Sequence, residues 1–180
     1  MQEHYVEILR EHWQRKLADE QEQIASQLQL YVPAMLGSSE KVPSDYRKDA
    51  MVEIKQFLNG DHRLMLLLGD SGAGKTLFGQ WLTNDLWEQQ QEWIPIFIHL
   101  PAYPIKKGYF EKYLRKYCKL SETEIEQMKR QNKILLILDA FDEMKTKYQV
   151  NFTNKAISSL TQNHIMVNYD QIYSGDDNAS

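Results

Sequence analysis

Two clusters of residues in this sequence have the types and spacing to handle a polyphosphate. The first, Gly69-Asp70-Ser71-Gly72-Ala73-Gly74-Lys75-Thr76, fits G-x-x-x-x-G-K-[ST] and follows the apolar run Leu64 to Leu68. A loop that turns its backbone N–H groups inward around an anion cannot carry bulky Cβ atoms at its tight turns, and glycines stand at 69, 72 and 74. Lys75 would reach the β- and γ-phosphates, and Thr76 would place its hydroxyl on Mg²⁺. The helix that starts there would aim its positive end at the polyphosphate. Gly69 to Leu77 are therefore the candidate nucleotide contacts. The plainer alternative is a Gly-rich turn with a surface lysine. A chance match in a chain of 180 residues has a probability of roughly one in a hundred or less. The strand before the loop and the amphipathic helix after it (Leu77, Phe78, Trp81, Leu82, Leu86) favour the phosphate reading.

The second cluster is Asp139-Ala140-Phe141-Asp142-Glu143, which directly follows the apolar run Ile134 to Leu138. Ligands of open α/β sheets bind beyond the carboxyl ends of the strands, so acids placed there fall beside the phosphate loop. One carboxylate can hold Mg²⁺, directly or through water, and another can orient or deprotonate the water that attacks the γ-phosphate. Asp139 suits the first role, while Asp142 and Glu143 compete for the second. The rival reading makes Asp139 a helix cap and puts the other two acids on the solvated first turn.

Both clusters need a parallel sheet to bring them together. Trp93 to Leu100 reads as a buried strand bounded by Gln89-Gln90-Gln91 and Pro101. Gly108 to Tyr117 and Glu122 to Gln131 read as crossover helices, the second opened by Ser121 and Glu124 in a capping-box pattern. Upstream, Ser44 or Asp45 can cap a helix carrying Tyr46, Ala50, Met51, Ile54, Phe57 and Leu58, with Asn59-Gly60 as a left-handed stop. From Val6 to Tyr31, apolar residues recur at three- and four-residue steps, which predicts a long amphipathic helix. Its stripe is expected to pack on its own domain, with a coiled-coil seam as the alternative. Strands alternating with helices predict an α/β fold built on a parallel sheet.

Composition narrows the partners. A net charge of -4 gives no general attraction to nucleic acid or anionic lipid, and 42% hydrophobic residues exclude a wholly disordered chain. The single cysteine, Cys118, cannot form an internal disulfide, and the start Met1-Gln2-Glu3-His4 does not resemble a signal peptide. The apolar runs are far too short to span a bilayer. A soluble, cytoplasmic protein is expected. His4, His12, His62, His99 and His164 are scattered without metal-ligand spacing and read as ordinary helix, loop and strand residues. Trp81, Trp87 and Trp93, around the phosphate-loop helix, read as packing groups.

An apolar strand followed by Asp, a small residue, an apolar residue, Asp and Glu resembles the extended Walker B motif of the NACHT family. These are signal-transduction P-loop NTPases of the STAND class, related to AAA+ proteins. The loop Gly69 to Thr76, as Walker A, and the strand Ile94 to Leu100 are similar to the family's first and second strands, so the resemblance covers roughly Leu64 to Met144. It implies ATP or ADP as nucleotide, Asp139 on Mg²⁺, and the Asp142/Glu143 pair near the hydrolytic water. In the related ASCE group the strand after Walker B inserts between the P-loop and Walker B strands, so Asn163 to Tyr169 would have to occupy the sheet centre. The family usually continues into a strand ending in a sensor arginine, then helical and winged-helix regions and a repeat array. No arginine follows Tyr169, and the chain is expected to be a form truncated after Walker B.

The expected organisation is an N-terminal amphipathic helix and linker over 1–44, a nucleotide-binding domain over 45–170, and a disordered tail over 171–180. The expected function is Mg-ATP binding with weak or no hydrolysis, with ATPase activity if the missing sensor elements are dispensable or supplied in trans. One rival is a non-hydrolysing module that acts through its N-terminal helix, by self-association or by recruiting a protein partner. Another is a nucleic-acid-dependent ATPase, which the acidic balance and the lack of a basic-aromatic stripe argue against.

Overall fold

In a computed structural model of the chain, the structure describes residues 4–19, 35–36, 48–89, 92–103, 109–131, 133–143 and 164–170. The second half of the predicted N-terminal helix (Ile24, Leu28 and Tyr31), most of the following linker, Ser44 to Tyr46 and the tail lie outside them. The elements run α1 (His4–Asp19), β1 (Met35–Leu36), β2 (Lys48–Asp49), α2 (Ala50–Asn59), β3 (Leu64–Gly69), α3 (Lys75–Glu88), β4 (Trp93–His99), α4 (Tyr109–Lys116), α5 (Glu122–Gln131), β5 (Lys133–Asp139) and β6 (His164–Asp170). No helix among the described residues is long and apolar enough to cross a membrane.

Four strands form one parallel sheet in the order β3-β6-β5-β4. The chain thus has the α/β parallel-sheet fold that the sequence implies. The weakly apolar β6 does take a central place, between the phosphate-loop strand and β5. β5 is the most protected strand, with Ile134 to Leu138 at 0 to 1% exposure. Each such side chain contributes roughly 1.5–3 kcal/mol relative to exposure. β3 lies at the edge. Leu67 is buried, whereas Leu64, Leu66 and Leu68 are exposed, so this strand alternates although its sequence is a continuous apolar run.

Three helices settle the layers. α3 lies on the sheet through the buried Phe78, Leu82 and Leu86. Gly79 makes the approach close: a Cβ there would stand 2.9 Å from Phe97 Cε2. α1 turns Tyr5, Leu9 and Trp13 inward, with Trp13 edge-on to Phe97 at 6.0 Å and Arg10 over the Trp87 ring at 5.4 Å. Its apolar stripe therefore packs on its own domain. α5 opens with the expected capping box, Ser121 N–H donating to Glu124 Oε2 at 2.8 Å and Glu124 N–H to Ser121 Oγ at 3.3 Å.

Two boundary readings are corrected. α2 is capped by Asp49, whose Oδ1 accepts from Met51 N at 2.8 Å and Val52 N at 3.3 Å, rather than by Ser44 or Asp45. Lys48 and Asp49 first pair antiparallel with Met35 and Leu36, which delays the helix start. Gly60 closes α2 in an extended conformation (φ -92°, ψ -179°), not a left-handed one, with its N–H on the Phe57 carbonyl.

Candidate functional site

The parallel register brings the carboxyl ends of the strands to one edge. Gly69 pairs with Asp170, His99 pairs with Asp139, and Val167 pairs with Leu138, which sets Asn168 beside Asp139. The phosphate loop crosses this edge. Gly72 and Gly74 have φ of 80° and 82°, a left-handed conformation that side chains rarely adopt, and this curls the loop into a cradle before α3 begins. A cavity of about 450 Å³ opens over it, lined by Ser71, Gly72, Gly74, Lys75, Thr76, Leu77, Gln80, Asp139, Ala140, Asp142, Glu143 and Asn168. The two predicted clusters thus share one cavity. Gly69, Asp70 and Ala73 belong to the loop without lining it, since Gly69 ends β3 and Asp70 and Ala73 close its first turn through Ala73 N–H to the Asp70 carbonyl.

The charged side chains have defined partners. Lys75 Nζ donates to the carbonyls of Gly69 at 2.8 Å and Asp70 at 2.7 Å, which folds the ammonium back over its own loop. Asp139 is 1% exposed, and a buried carboxylate is costly without donors. It has three. Oδ1 accepts from Thr76 Oγ1 at 3.0 Å and Asn168 Nδ2 at 2.9 Å, and Oδ2 accepts from His99 Nδ1 at 2.8 Å. Asn168 Nδ2 also donates to the Lys75 carbonyl at 3.0 Å, tying the start of α3 to β6. Its buried Oδ1 has no hydrogen-bond partner among the described residues, and Asn168 is one of the residues that line the cavity.

The chain leaves β5 through Ala140, a non-glycine residue at φ 56°, a conformation that costs on the order of 1 kcal/mol or more. Phe141 N–H then donates to the Asn168 carbonyl at 3.2 Å, and Asp142 and Glu143 return to the cavity wall. Asp139 therefore uses its side chain on Thr76, His99 and Asn168 rather than as a helix cap. Elsewhere, burial pushes the Cys118 thiol up to about 12, which makes it a packing group rather than a nucleophile.

Two participants escape the sequence reading. His99 reads as an ordinary strand residue, yet it bonds the central carboxylate; the signal was its place at the carboxyl end of a strand next to the one that ends in Asp139. Asn168 stands in the strand where the resemblance leads one to look for an arginine. Among the described residues no arginine lines the cavity, and Arg115 and Arg130 stand on α4 and α5.

Comparison with known proteins gives three results. No curated protein matches the chain. Among solved structures it is similar to AMPPCP-bound DnaA from Aquifex aeolicus, at 17% identity and a TM-score of 0.41, covering 80% of this chain and 41% of that one. It is also similar to C. elegans PCH-2, at 14% identity and a TM-score of 0.38, covering 68% of this chain and 34% of that one. The chain thus spans about two fifths and one third of the lengths of these structures. The sequence profile of the NACHT domain matches residues 63–169, more than half of the chain. That span runs from the residue before β3 to the penultimate residue of β6, so it encloses both clusters around the cavity, and the chain belongs to the NACHT domain family of nucleotide-binding P-loop NTPases.

Proposed function

We propose that this domain binds Mg-ATP and ADP and hydrolyses ATP slowly. The observation that carries the proposal is the 3.0 Å contact between Thr76 Oγ1 and Asp139 Oδ1 in the cavity over the phosphate cradle. Thr76 gives its proton to Asp139, which leaves the hydroxyl lone pairs for a cation, and a hydroxyl beside a carboxylate is a hard-oxygen pair suited to Mg²⁺. Oδ2 accepts only from His99, so the carboxylate of Asp139 keeps acceptor capacity for Mg²⁺ or for a water bound to it. Bound Mg²⁺ would neutralise developing phosphate charge.

The other roles follow from placement. Lys75 would exchange two neutral carbonyl acceptors for the anionic β- and γ-phosphate oxygens, which accept more strongly. The N–H groups of the loop and of the first turn of α3 would hold the remaining oxygens. Asp142 or Glu143 would orient the hydrolytic water, and the domain would occupy residues 45–170 with the N-terminal helix resting on it.

Slow turnover follows from the cation count. An arginine supplied in cis or in trans is worth about 10³ to 10⁵ in rate in comparable NTPases, and Lys75 is the only basic side chain lining the cavity among the described residues. Titration with ATP, ADP and GTP analogues, with and without Mg²⁺, tests the binding reading, and absence of Mg²⁺-dependent ATP binding refutes it. Turnover near one per second in dilute protein, against a Lys75→Ala blank, would refute slow hydrolysis. A rate that climbs steeply with protein concentration would point to Arg115 or Arg130 acting between subunits.

A further inference from the structure

His99 does not line the cavity, and nothing in the phosphate loop requires it. It nevertheless meets the least exposed acid of the site. Its Nδ1 lies 2.8 Å from Asp139 Oδ2, and a carboxylate oxygen only accepts, so Nδ1 carries the proton and donates. The other oxygen is held from the opposite side by Thr76 and Asn168. Without a donor on Oδ2, the carboxylate can turn about its Cβ–Cγ bond and deliver its oxygens to Thr76 in more than one orientation. With it, Oδ1 faces the hydroxyl in a single orientation. The His99 side chain is 40% exposed while that of Asp139 is 1% exposed, so the ring bridges the solvent and the buried carboxylate.

We infer that His99 is a positioning residue for the divalent-cation site, fixing the rotamer of Asp139 so that Thr76 and Asp139 present one preset pair of oxygens to Mg²⁺. The inference rests on the Mg-nucleotide reading of the cavity and adds to it a residue from β4 that touches neither nucleotide nor metal. Groups that orient a metal-binding carboxylate typically affect metal affinity about 10–100-fold when removed. The backbone pairing of His99 with Asp139 explains why the tether comes from this position: the two Cα atoms are register partners on adjacent parallel strands.

The test measures nucleotide affinity in EDTA, the Mg²⁺ concentration that gives half of the Mg²⁺ effect on binding, and the melting temperature without nucleotide. The variants are His99→Ala, His99→Gln and His99→Asn. Asn places an N–H donor at the same number of bonds from the backbone as Nδ1, whereas Gln places it one methylene further out. Ala and Gln should raise the half-effect Mg²⁺ concentration about tenfold, with affinity in EDTA within about twofold of the parent, and Asn should recover most of the shift. Gln keeps size and polarity, so it carries the measurement if the Ala variant does not fold. An unshifted Mg²⁺ requirement, or an Asn variant as impaired as Ala, overturns the inference. So does a loss confined to melting temperature and EDTA affinity, since packing alone would explain it. If the parent chain binds ATP equally with and without Mg²⁺, the reading of the cavity itself fails, a result distinct from a parent that responds to Mg²⁺ and a His99→Ala variant that responds identically.

Discussion

Gly79→Ala sets two opposing effects of known size against each other. In the interior of α3, replacing glycine by alanine ordinarily stabilises a helix by about 0.8–1 kcal/mol. Here the added Cβ would stand 2.9 Å from Phe97 Cε2 and 3.3 Å from both Asn168 Nδ2 and Ile137 Cγ2. Phe97 is 3% exposed and has Trp13 edge-on at 6.0 Å and Lys16 Nζ over its ring at 4.6 Å, so its ring retreats only if α1 moves too. Overpacking of this kind costs about 1–3 kcal/mol. The difference runs from near zero to destabilisation by roughly 2 kcal/mol, or up to about 8 °C in melting temperature for a chain of this length. Thermal and urea unfolding of Gly79→Ala and Gly79→Ser would measure it, with serine costing more. Because the same Cβ presses on the amide that donates to Asp139, the Mg²⁺ requirement for ATP binding should rise as well. A Gly79→Ala variant clearly more stable than the parent, by the full helix-propensity gain of about 1 kcal/mol, would refute the close-approach argument.

Further outcomes follow from the same geometry. Lys75→Ala should weaken ATP binding at least about tenfold, or roughly 1.4 kcal/mol, measured by calorimetry on a variant whose circular dichroism is unchanged. Asp139→Asn should remove the Mg²⁺ dependence of binding, whereas Glu143→Gln should leave binding intact and abolish turnover; normal Mg-ATP binding by Asp139→Asn would contradict the assignment of that carboxylate. Burial between Phe57 and Trp93, and after it the charge of Arg63, holds the His164 imidazole below its ordinary value, with Lys133 acting the same way more weakly against backbone acceptors at Gly60 and Phe57. The unfolded chain then takes up that proton more readily, so stability should fall as pH drops through about 6.5. Melting at pH 7.5 and 5.5 should show the loss, and His164→Phe should reduce it. His12, shifted downward by burial and then by Lys16 and Arg15, should act in the same direction.

The parts of the site legible in the sequence are those whose backbone demands a particular residue type. Gly72 and Gly74 announce a left-handed loop, and Asp139 announces itself by ending five consecutive aliphatic residues. Contacts between distant positions are harder to read. His99 and Asp139 are 40 residues apart and meet because two strands pair in register, a fact that neither strand's own pattern contains. β3 and β5 look alike as apolar runs, yet β3 exposes three leucines and β5 is buried; the other edge strand, β4, is buried too, so the difference lies in what covers each strand's faces, which its own pattern does not contain. The cap of α2 is ambiguous in the sequence because Ser44 and Asp45 carry the same signal as Asp49, and the short pairing of Lys48 and Asp49 with Met35 and Leu36 decides among them.

The N-terminal helix is tied to the site more directly than its sequence implies. Trp13 leans on Phe97, Phe97 occupies the space that the absent Cβ of Gly79 leaves, and Gly79 lies on the helix that begins at Lys75. Arg10 reaches the ring of Trp87 on the same helix, while His12 bonds the Tyr113 hydroxyl at 3.1 Å and His4 bonds Glu124 at 2.9 Å on the crossover helices. Removing α1 would therefore uncover Phe97 and Trp87 on a core face rather than release a free module. Over His4–Asp19 the apolar stripe is already committed to the nucleotide domain, so a partner that used Tyr5, Leu9 and Trp13 would have to strip the helix from the sheet first. That competition links any such recruitment to the packing of α3, and through α3 to the phosphate loop. A helix-mediated partner and the nucleotide site would then have to be energetically coupled, with each changing the affinity of the other by the same factor.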